Sequence, residues 1–582
     1  MPRAPGPPSP PTRAPCPGPG GPASARRART GPRGTVSSLP PVPAPSRTAV
    51  EPSGDDVPPG PDVIRPRHVA PTPVAALAAR IAEATGTAPD LHGDPAVTVT
   101  GAGLRAHEIA PGELFAALGG ARAHGADFAD RALARGAAAV LTDPEGAARP
   151  ALAATDVPVL VHPHPREALG PASALVFGDP SRRLALLGVT GTSGKTTTVY
   201  LLEAALAAAG ATTGLIGTVE TRMRGRHVPS AFTTPEAPDL QALLAAMVEE
   251  GVTHAAMEVS SHALAQGRVD GTAYAVGAFT NLSAEHLDFH PTMEDYFAAK
   301  RRLFDGRAAA HVVCVDDAWG RRLADDLDAP TTVSAAGRDA AWTATAVTAH
   351  PDGTQTFTAL GPGAAELPVT LRLPGSFNVA NALVALACGQ AAGLDPARLA
   401  SGFAQVTVPG RMQRVDAGQP FLAVVDYAHK PAAVEALLTT LREQGSRGAR
   451  SDGPGRVLTV LGCGGDRDRE KRPVMGALAA ELSDLVWITD DNPRTEDPAA
   501  IRAAMLDGAR ASERARAIVA EEGDRRAAIR AAVAAARPGD VVVVAGKGHE
   551  PGQKVGAEVL PFSDVEELTA ALHDRAPRED PA

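Results

Sequence analysis

The sequence predicts an α/β protein of three domains: a small α/β domain at 73–180, a central doubly wound domain at 181–412 and a C-terminal Rossmann-like α/β domain at 413–582. Three observations predict it. The chain is 582 residues long and 44% hydrophobic, enough for about three or four buried cores. Short apolar runs alternate with Ala-rich helical stretches along most of it, the pattern of parallel sheets with crossover helices. One of those runs, 184–190, feeds directly into a Gly-rich turn and then a helical segment, which is the strand–loop–helix order of a phosphate-binding loop.

Composition limits the function. The net charge of −10 offers no basic field for nucleic acid. Cys16, Cys314, Cys388 and Cys463 are scattered without a CxxC pair, which argues against a zinc site or a disulfide framework and fits a reducing compartment. No apolar run is long enough for a membrane helix, and the N-terminus lacks the apolar stretch of a secretory signal. A cytoplasmic monomer acting on small molecules, without nucleic acid or membrane insertion, is therefore expected. Of 56 basic Lys and Arg residues only six are lysine: Lys195, Lys300, Lys430, Lys471, Lys547 and Lys554. In a chain so biased to Arg, a retained Lys marks places where a compact charge that can lose its proton is needed and a planar fork cannot serve.

Taken in order, residues 1–72 are dominated by Pro, Gly, Ser, Ala and Arg. They bury too little apolar surface to offset the entropy of ordering, and read as a disordered tail or as the product of a start codon assigned too far upstream. A helix is predicted at 73–81. Strands are predicted at 97–100, 114–118 and 138–142, forming the small α/β domain. The strand at 184–190 and the helix at 196–208, with Gly210 past its end, open the central domain. Four apolar runs at 421–426, 457–461, 485–489 and 541–545 read as the doubly buried parallel strands of the third.

The turn reads Gly191-Thr192-Ser193-Gly194-Lys195-Thr196-Thr197. Glycines let backbone N–H groups approach phosphate oxygens, and the helix that follows adds its positive end. Lys195 can reach the β- and γ-phosphates, and a threonine hydroxyl, Thr196 foremost, can ligate Mg²⁺. A solvated lysine in a Gly-rich turn is the plainer alternative. The loop departs from GxxxxGK[ST], because Val189 stands where the first Gly would be. Its form GTSGKTT is similar to the ATP loop of the Mur ligase family, usually GTNGKTT, with Ser193 in place of Asn. Further matches follow in order from about residue 98 to the C-terminus, most like the family's MurE type. The resemblance implies a uridine-binding first domain, a central ATPase domain and an amino-acid-binding third domain.

The remaining site residues are assigned through that resemblance. Glu258 and Ser260 lie in a segment like the family's EVSSH. A buried Glu needs a partner or a metal, so Glu258 is expected to hold Mg²⁺. His286 resembles a second-metal histidine, although it could merely cap a loop. Lys300 stands where the family carries a lysine carbamylated by CO₂. The reaction needs a neutral amine, and it yields an anionic two-oxygen ligand suited to Mg²⁺. Asn378 would meet adenine and Asp426 the ribose, while Arg411 would stabilise γ-phosphate charge. Lys195, Glu258, His286, Lys300 and Arg411 thus form the expected catalytic set, with Mg²⁺ and ATP as cofactor and co-substrate.

For a nucleotide-sugar substrate, Thr233, Thr234, Ser260, Gln266 and Arg268 match family contacts, with Phe232 where some relatives have Asn. The uridine contacts Leu104, Ala106, Ala121, Arg122 and Ala123 match least, since Leu104-Arg105-Ala106 stands where many relatives carry Leu-Asp-Ser. The amine acceptor is carried by Asp491-Asn492-Pro493-Arg494, which resembles the family's DNPR motif for diaminopimelate. A guanidinium binds that molecule's distal carboxylate as a two-pronged fork, and lysine has no such group to bind. Arg467, Gly546 and Glu550 would complete the pocket. The implied activity is ATP-dependent ligation of diaminopimelate to UDP-N-acetylmuramoyl-L-alanyl-D-glutamate through an acyl phosphate, in peptidoglycan precursor synthesis. A lysine-adding or folylpolyglutamate-type ligase, or a P-loop nucleotide-binding regulator, are the alternatives.

Overall fold

In the computed structural model the described residues are 64–229, 232–363, 366–447 and 453–575, and they belong to one compact unit. Most of the tail predicted at 1–72 lies outside them. Residues 64–72 are described and are tied down: Glu249 accepts the backbone N–H groups of Arg67 and His68 at 2.8 Å each, and Ile64 packs against a core cluster. The ordered chain therefore begins before 73, held by contacts to distant segments that local composition does not encode.

The central sheet has 11 strands. Ala185–Thr190 lies in its middle, flanked by His254–Glu258 and Tyr274–Phe279, and both pairings are parallel. Its residues are apolar on both faces because helices cover both faces. Lys195–Ala208 and Ser376–Ala391 pack on one side, joining Val199, Leu202, Leu383 and Leu386 to Leu187 and Val189 in one core. Register then sets the site. Val189 pairs with Glu258, and Thr190 with Phe279, so Gly191, Glu258 and Thr280 emerge at the same carboxyl edge. From Ala185–Thr190 the chain crosses to Thr213–Ile216 on one side, and from His254–Glu258 to Tyr274–Phe279 on the other. Ligands of open α/β sheets bind at such a switch point.

The sheet is not parallel throughout. Thr221–Met223 and Arg226–Val228 add an antiparallel margin at one edge, and Gln355–Leu360 and Leu367–Leu371 add another beyond Trp342–Ala349. Gln355–Leu360 and Leu367–Leu371 alternate buried and more exposed residues, as antiparallel strands with one covered face do.

The first sheet orders its strands Asp90–His92, Val159–Val161, Ala139–Thr142, Leu114–Ala117 and Ala102–Gly103. The predicted helix is present as Val74–Thr85. The third sheet contains all four expected strands, at Leu422–Asp426, Val457–Cys463, Leu485–Asp490 and Val541–Ala545, with Gln413–Arg414 and Ile518–Glu521 at its edges.

A buried ion pair fastens the third domain. Arg525 and Asp564 are both fully buried and meet through two bonds of 2.7 Å, from Nε and Nη2. Removing one partner of such a pair strands the other charge in a low-dielectric interior. Asp564→Ala should therefore lose about 3–5 kcal/mol in denaturant unfolding. The double variant Arg525→Leu/Asp564→Ala should lose less than Asp564→Ala alone; equal or greater loss would mean that packing, not stranded charge, is responsible.

Candidate functional site

The loop is built by glycines at two points. Gly191 has φ +151° and a Cβ there would lie 1.9 Å from Thr280 Oγ1; Gly194 has φ +87° and a Cβ there would lie 2.4 Å from Asn381 Oδ1. Side chains behind the loop hold its shape. Thr280 Oγ1 donates to the Ser193 carbonyl at 2.7 Å, and Asn281 clasps Ser193 from both sides, accepting its N–H at 2.9 Å and donating to its carbonyl at 3.0 Å. Thr192 donates its backbone N–H to the Asn281 carbonyl at 2.9 Å. Lys195 Nζ donates to the Gly191 and Thr192 carbonyls at 2.9 Å each, and burial lowers its pKa. The N–H groups that open Lys195–Ala208 point into this cradle.

Lys300 enters the same cradle from the helix Met293–Arg301. It is 1% exposed, and its Nζ donates to the Gly191 carbonyl at 2.8 Å and lies 4.5 Å from the centre of the Tyr296 ring. Burial, then the charge of Lys195, hold its ammonium pKa well below the ordinary lysine value. The free amine that CO₂ addition requires is thus favoured. Tyr296 is itself fixed, stacked on His290 at 5.0 Å and in hydrogen-bond contact with Thr192 Oγ1 at 3.2 Å.

Glu258 is fully buried. It accepts from Thr196 Oγ1 at 3.1 Å, from Thr218 N–H at 2.7 Å and from Thr218 Oγ1 at 3.0 Å. The two oxygens Thr196 Oγ1 and Glu258 Oε2 are spaced as adjacent ligands of an octahedral Mg²⁺ would be, about 3 Å apart for bonds near 2.1 Å. The donor set therefore fits the ion. His286 adopts φ +56°, and burial, then Lys195 and Lys300, hold its imidazole at about 4. It is neutral at physiological pH, as a ligating imidazole must be. Among the described residues no group of three or more His, Cys, Asp or Glu converges on one point. The predicted metal set has only two such side chains, so phosphate oxygens and a Lys300 carbamate would supply the remainder.

Two predicted nucleotide contacts are engaged elsewhere. Asn378 is 1% exposed, and its amide donates to the Pro374 carbonyl at 2.7 Å and accepts from Asn381 at 3.0 Å. Asn381 in turn backs Gly194, so Asn378 supports the loop from behind rather than offering a free amide to adenine. Asp426 accepts Met412 N–H at 2.7 Å and Ala428 N–H at 2.8 Å, one on each oxygen. It ties the chain between the second and third domains, with one acceptor site on each oxygen already taken. Arg411 lies close enough for its charge to act on Lys195. Its guanidinium lies 4.5 Å from the Tyr427 ring centre, and its buried Nε has no hydrogen-bond partner among the described residues.

The residues expected to meet a nucleotide sugar are connected to one another and to Glu258. Thr233 meets Thr218 at 3.0 Å; Thr234 is buried and links the Glu258 carbonyl at 2.9 Å to Ser260 N–H at 3.2 Å. Ser260 caps the short helix Ser261–Ala265 through Ala263 N–H. Arg268 donates to Gln266 Oε1 at 3.1 Å and pairs with Glu236 at 3.0 Å, and it lies 5.1 Å from the Phe232 ring centre. Glu236 also holds Arg166 of the first domain at 3.1 Å. In that domain Ala121, Arg122 and Ala123 are exposed, Leu104 is half-buried and Ala106 is buried in the core at 8% exposure. Ala106 thus has a packing role, which its apolar side chain alone would suggest.

In the third domain the DNPR turn is locked by a hairpin. Arg494 has φ +53°, and its backbone N–H and carbonyl are taken by Lys554 and Gly556 at 3.0 and 2.7 Å. Its Nη1 donates to the Gly465 carbonyl at 2.6 Å, leaving the rest of the fork for a ligand. Pro493 crowds the same turn, since a Cβ at Gly465 would lie 2.0 Å from its carbonyl. Asn492, Asp491 and Glu550 cluster beside Gly546, and Arg467 is exposed at the rim. Tyr427 reaches Glu550 at 3.4 Å and stands 5.0 Å from His549. A Lys430–Glu285 ion pair joins this domain to the segment bearing His286. Thr218, Asn281 and Asn381 are parts of the site that the sequence did not point to. Lys547 carried a signal as one of the six retained lysines, but no role.

Burial, then Arg411, hold the His549 imidazole at about 4. The unfolded chain takes up that proton near pH 6.5. Between those values the unfolded state binds more protons, so stability falls as pH falls and levels off below about 4. The melting temperature should drop more steeply over this window in the wild type than in His549→Gln; parallel curves would refute the shift.

Three family models match in series. They are the Mur ligase family catalytic domain at 98–175, the Mur ligase middle domain at 189–389 and the Mur ligase glutamate ligase domain at 410–548. A UDP-N-acetylmuramoyl-L-alanyl-D-glutamate–2,6-diaminopimelate ligase of Corynebacterium efficiens is 54% identical over 474 residues, covering 79% of this chain and 87% of its own. One of Streptomyces avermitilis is 51% identical over 521 residues, covering 88% and 98%. A solved structure of a ligase with the same description aligns with TM-score 0.61 at 32% identity, over 85% of this chain and 98% of that one.

Proposed function

Because this chain belongs to the Mur ligase family, we propose that it is the ATP-dependent ligase that adds diaminopimelate to UDP-N-acetylmuramoyl-L-alanyl-D-glutamate. One observation carries the amino-acid choice. Arg494 is held at positive φ by backbone bonds on both sides, its guanidinium has one bond among the described residues, to the Gly465 carbonyl, and the same turn carries Asp491 and Asn492, the latter bonded to Glu550. A cationic fork next to anionic groups suits a ligand end bearing both a carboxylate and an ammonium. Relatives at about half identity carry that activity in their names.

The substrate's terminal carboxylate attacks the γ-phosphate of ATP, giving an acyl phosphate and ADP. The loop N–H groups, Lys195 and Arg411 hold the phosphates and offset the charge that spreads over the transferring group. Bound Mg²⁺, held by Thr196, Glu258, His286 and carbamylated Lys300, would supply further charge neutralisation there. Thr233, Thr234, Ser260, Gln266 and Arg268 orient the nucleotide sugar, with Leu104 and 121–123 on the uridine side. The amine of diaminopimelate, held by Arg467, Asn492, Arg494 and Glu550, then attacks the acyl carbon. A tetrahedral intermediate collapses to amide and phosphate. No side-chain nucleophile is required, and Cys463 is a packed core residue. A step of peptidoglycan precursor synthesis that consumes ATP and a nucleotide-linked substrate would run in the cytoplasm.

The test is amide formation from the UDP-dipeptide with meso-diaminopimelate, LL-diaminopimelate or lysine. ADP and phosphate are expected only when nucleotide sugar and a diaminopimelate isomer are both present. Preference for lysine, or rapid ATP hydrolysis without an amine, would overturn the reading.

A further inference from the structure

Four of the six lysines have no part in the reaction as described: Lys430, Lys471, Lys547 and Lys554. Lys547 is the one placed most unlike an ordinary lysine. It is fully buried, in a chain that otherwise uses arginine for most of its positive charge. Its Nζ donates to Asn492 Oδ1 at 3.0 Å and to Glu550 Oε2 at 3.4 Å, and pairs ionically with Asp491 Oδ1 at 3.6 Å.

These groups form a closed set. Asn492 Oδ1 accepts from Lys547 Nζ and also from the Lys554 backbone N–H at 2.9 Å. With two donors on that oxygen, the amide can face only one way, and its Nδ2 donates to Glu550 Oε2 at 2.8 Å. Glu550 Oε2 is therefore occupied from the protein side, while the Glu550 side chain is 34% exposed. The other oxygen, Oε1, accepts only a long bond from the Tyr427 hydroxyl at 3.4 Å, and a carboxylate oxygen has a second lone pair for a further donor. Gly546 permits the close approach. It has φ +116°, and a Cβ there would stand 3.0 Å from Asp491 Oδ2.

We infer that Lys547 is a positioning residue for amino-acid selection: the buried cation that fixes Asn492 and Glu550 so that Glu550 presents one oxygen to the ligand's distal ammonium. The inference rests on the assignment of this pocket to diaminopimelate. An ammonium directs its donors tetrahedrally from one point and can serve three acceptors around it. A planar guanidinium in the same enclosed space cannot. Without the cation, Asp491 and Glu550 face one another as like charges, and the Asn492 amide loses one of the two donors that orient it.

The experiment compares Lys547→Met, Lys547→Arg and Arg494→Ala in the full chain, with steady-state kinetics for each of the three substrates. Lys547→Met should raise the KM for diaminopimelate by at least about tenfold, as loss of a residue that orients a direct contact commonly does. The KM values for ATP and the nucleotide sugar should stay unchanged, and Lys547→Arg should not restore the wild-type value. Combining Lys547→Met with Glu550→Gln should be no worse than Glu550→Gln alone. If Arg494→Ala raises the diaminopimelate KM and Lys547→Met does not, Lys547 has no positioning role. A positioning role is equally ruled out if all three KM values move together, because that is general loss of structure. If Arg494→Ala leaves the diaminopimelate KM unchanged, the pocket assignment itself fails. Should Lys547→Met be insoluble, Lys547→Gln is held to the same criteria.

Discussion

Lys300→Ala should lower kcat by about 10²–10³-fold or more, the scale on which removal of one charge-stabilising group slows an enzyme, and short carboxylates such as acetate or formate should restore part of it. The expectation follows from where the amine lies. It is 1% exposed, bonds to the Gly191 carbonyl at 2.8 Å and has its pKa depressed by burial and by Lys195. A permanently charged lysine at that point would repel Lys195 and the metal. A carbamate reverses the charge and offers two oxygens to Mg²⁺. The cavity left by alanine admits a small carboxylate that can replace those oxygens. Lys300→Arg should stay inactive, because a guanidinium does not give up its proton to react with CO₂. Normal turnover by Lys300→Ala, or absence of rescue at any carboxylate concentration, would remove the carbamate from the mechanism.

Arg494→Ala is the second large effect. It should lower kcat/KM for diaminopimelate by about 10²–10³-fold, as loss of one partner from a desolvated charge pair does. Lysine, which has no distal carboxylate, should react no worse with the variant than with the wild type. The ratio of the two substrates is therefore the informative number. The backbone of Arg494 is held by Lys554 and Gly556 regardless of its side chain, so the substitution removes the fork while those two bonds remain. An unchanged ratio would mean that the second carboxylate is recognised elsewhere, with Arg467 the first place to look.

The parts of the site that could be read in the chain are those whose chemistry is local. Gly191 and Gly194 are needed by the loop's own backbone, and Lys195 follows them directly. The four strands of the third domain were legible because each is a continuous apolar run, as doubly covered parallel strands are. Thr218 and Asn281 were not legible. Each is an ordinary polar residue until the sheet brings it to Glu258 or Ser193. Asn378 and Asp426 stand in conspicuous motifs, but that folding also engages their polar atoms with Pro374, Asn381, Met412 and Ala428 was not legible. The antiparallel margins of the central sheet went unseen because their partners are set by position at an edge.

The α/β class, the phosphate loop, the scarcity of lysine and the DNPR turn are properties of the chain alone, since all four reside in short stretches whose conformation or chemistry is intrinsic. Packing was needed to establish that Glu258 pairs with Val189 and Phe279 with Thr190 at the end of the strand that leads into the loop, that Lys300 shares a carbonyl with Lys195, and that Lys547 is buried against Glu550. Those facts depend on strand register and on burial. Both are set by how segments far apart in the chain come together, and burial is what lowers the pKa of Lys300 and encloses Lys547 as a counter-charge.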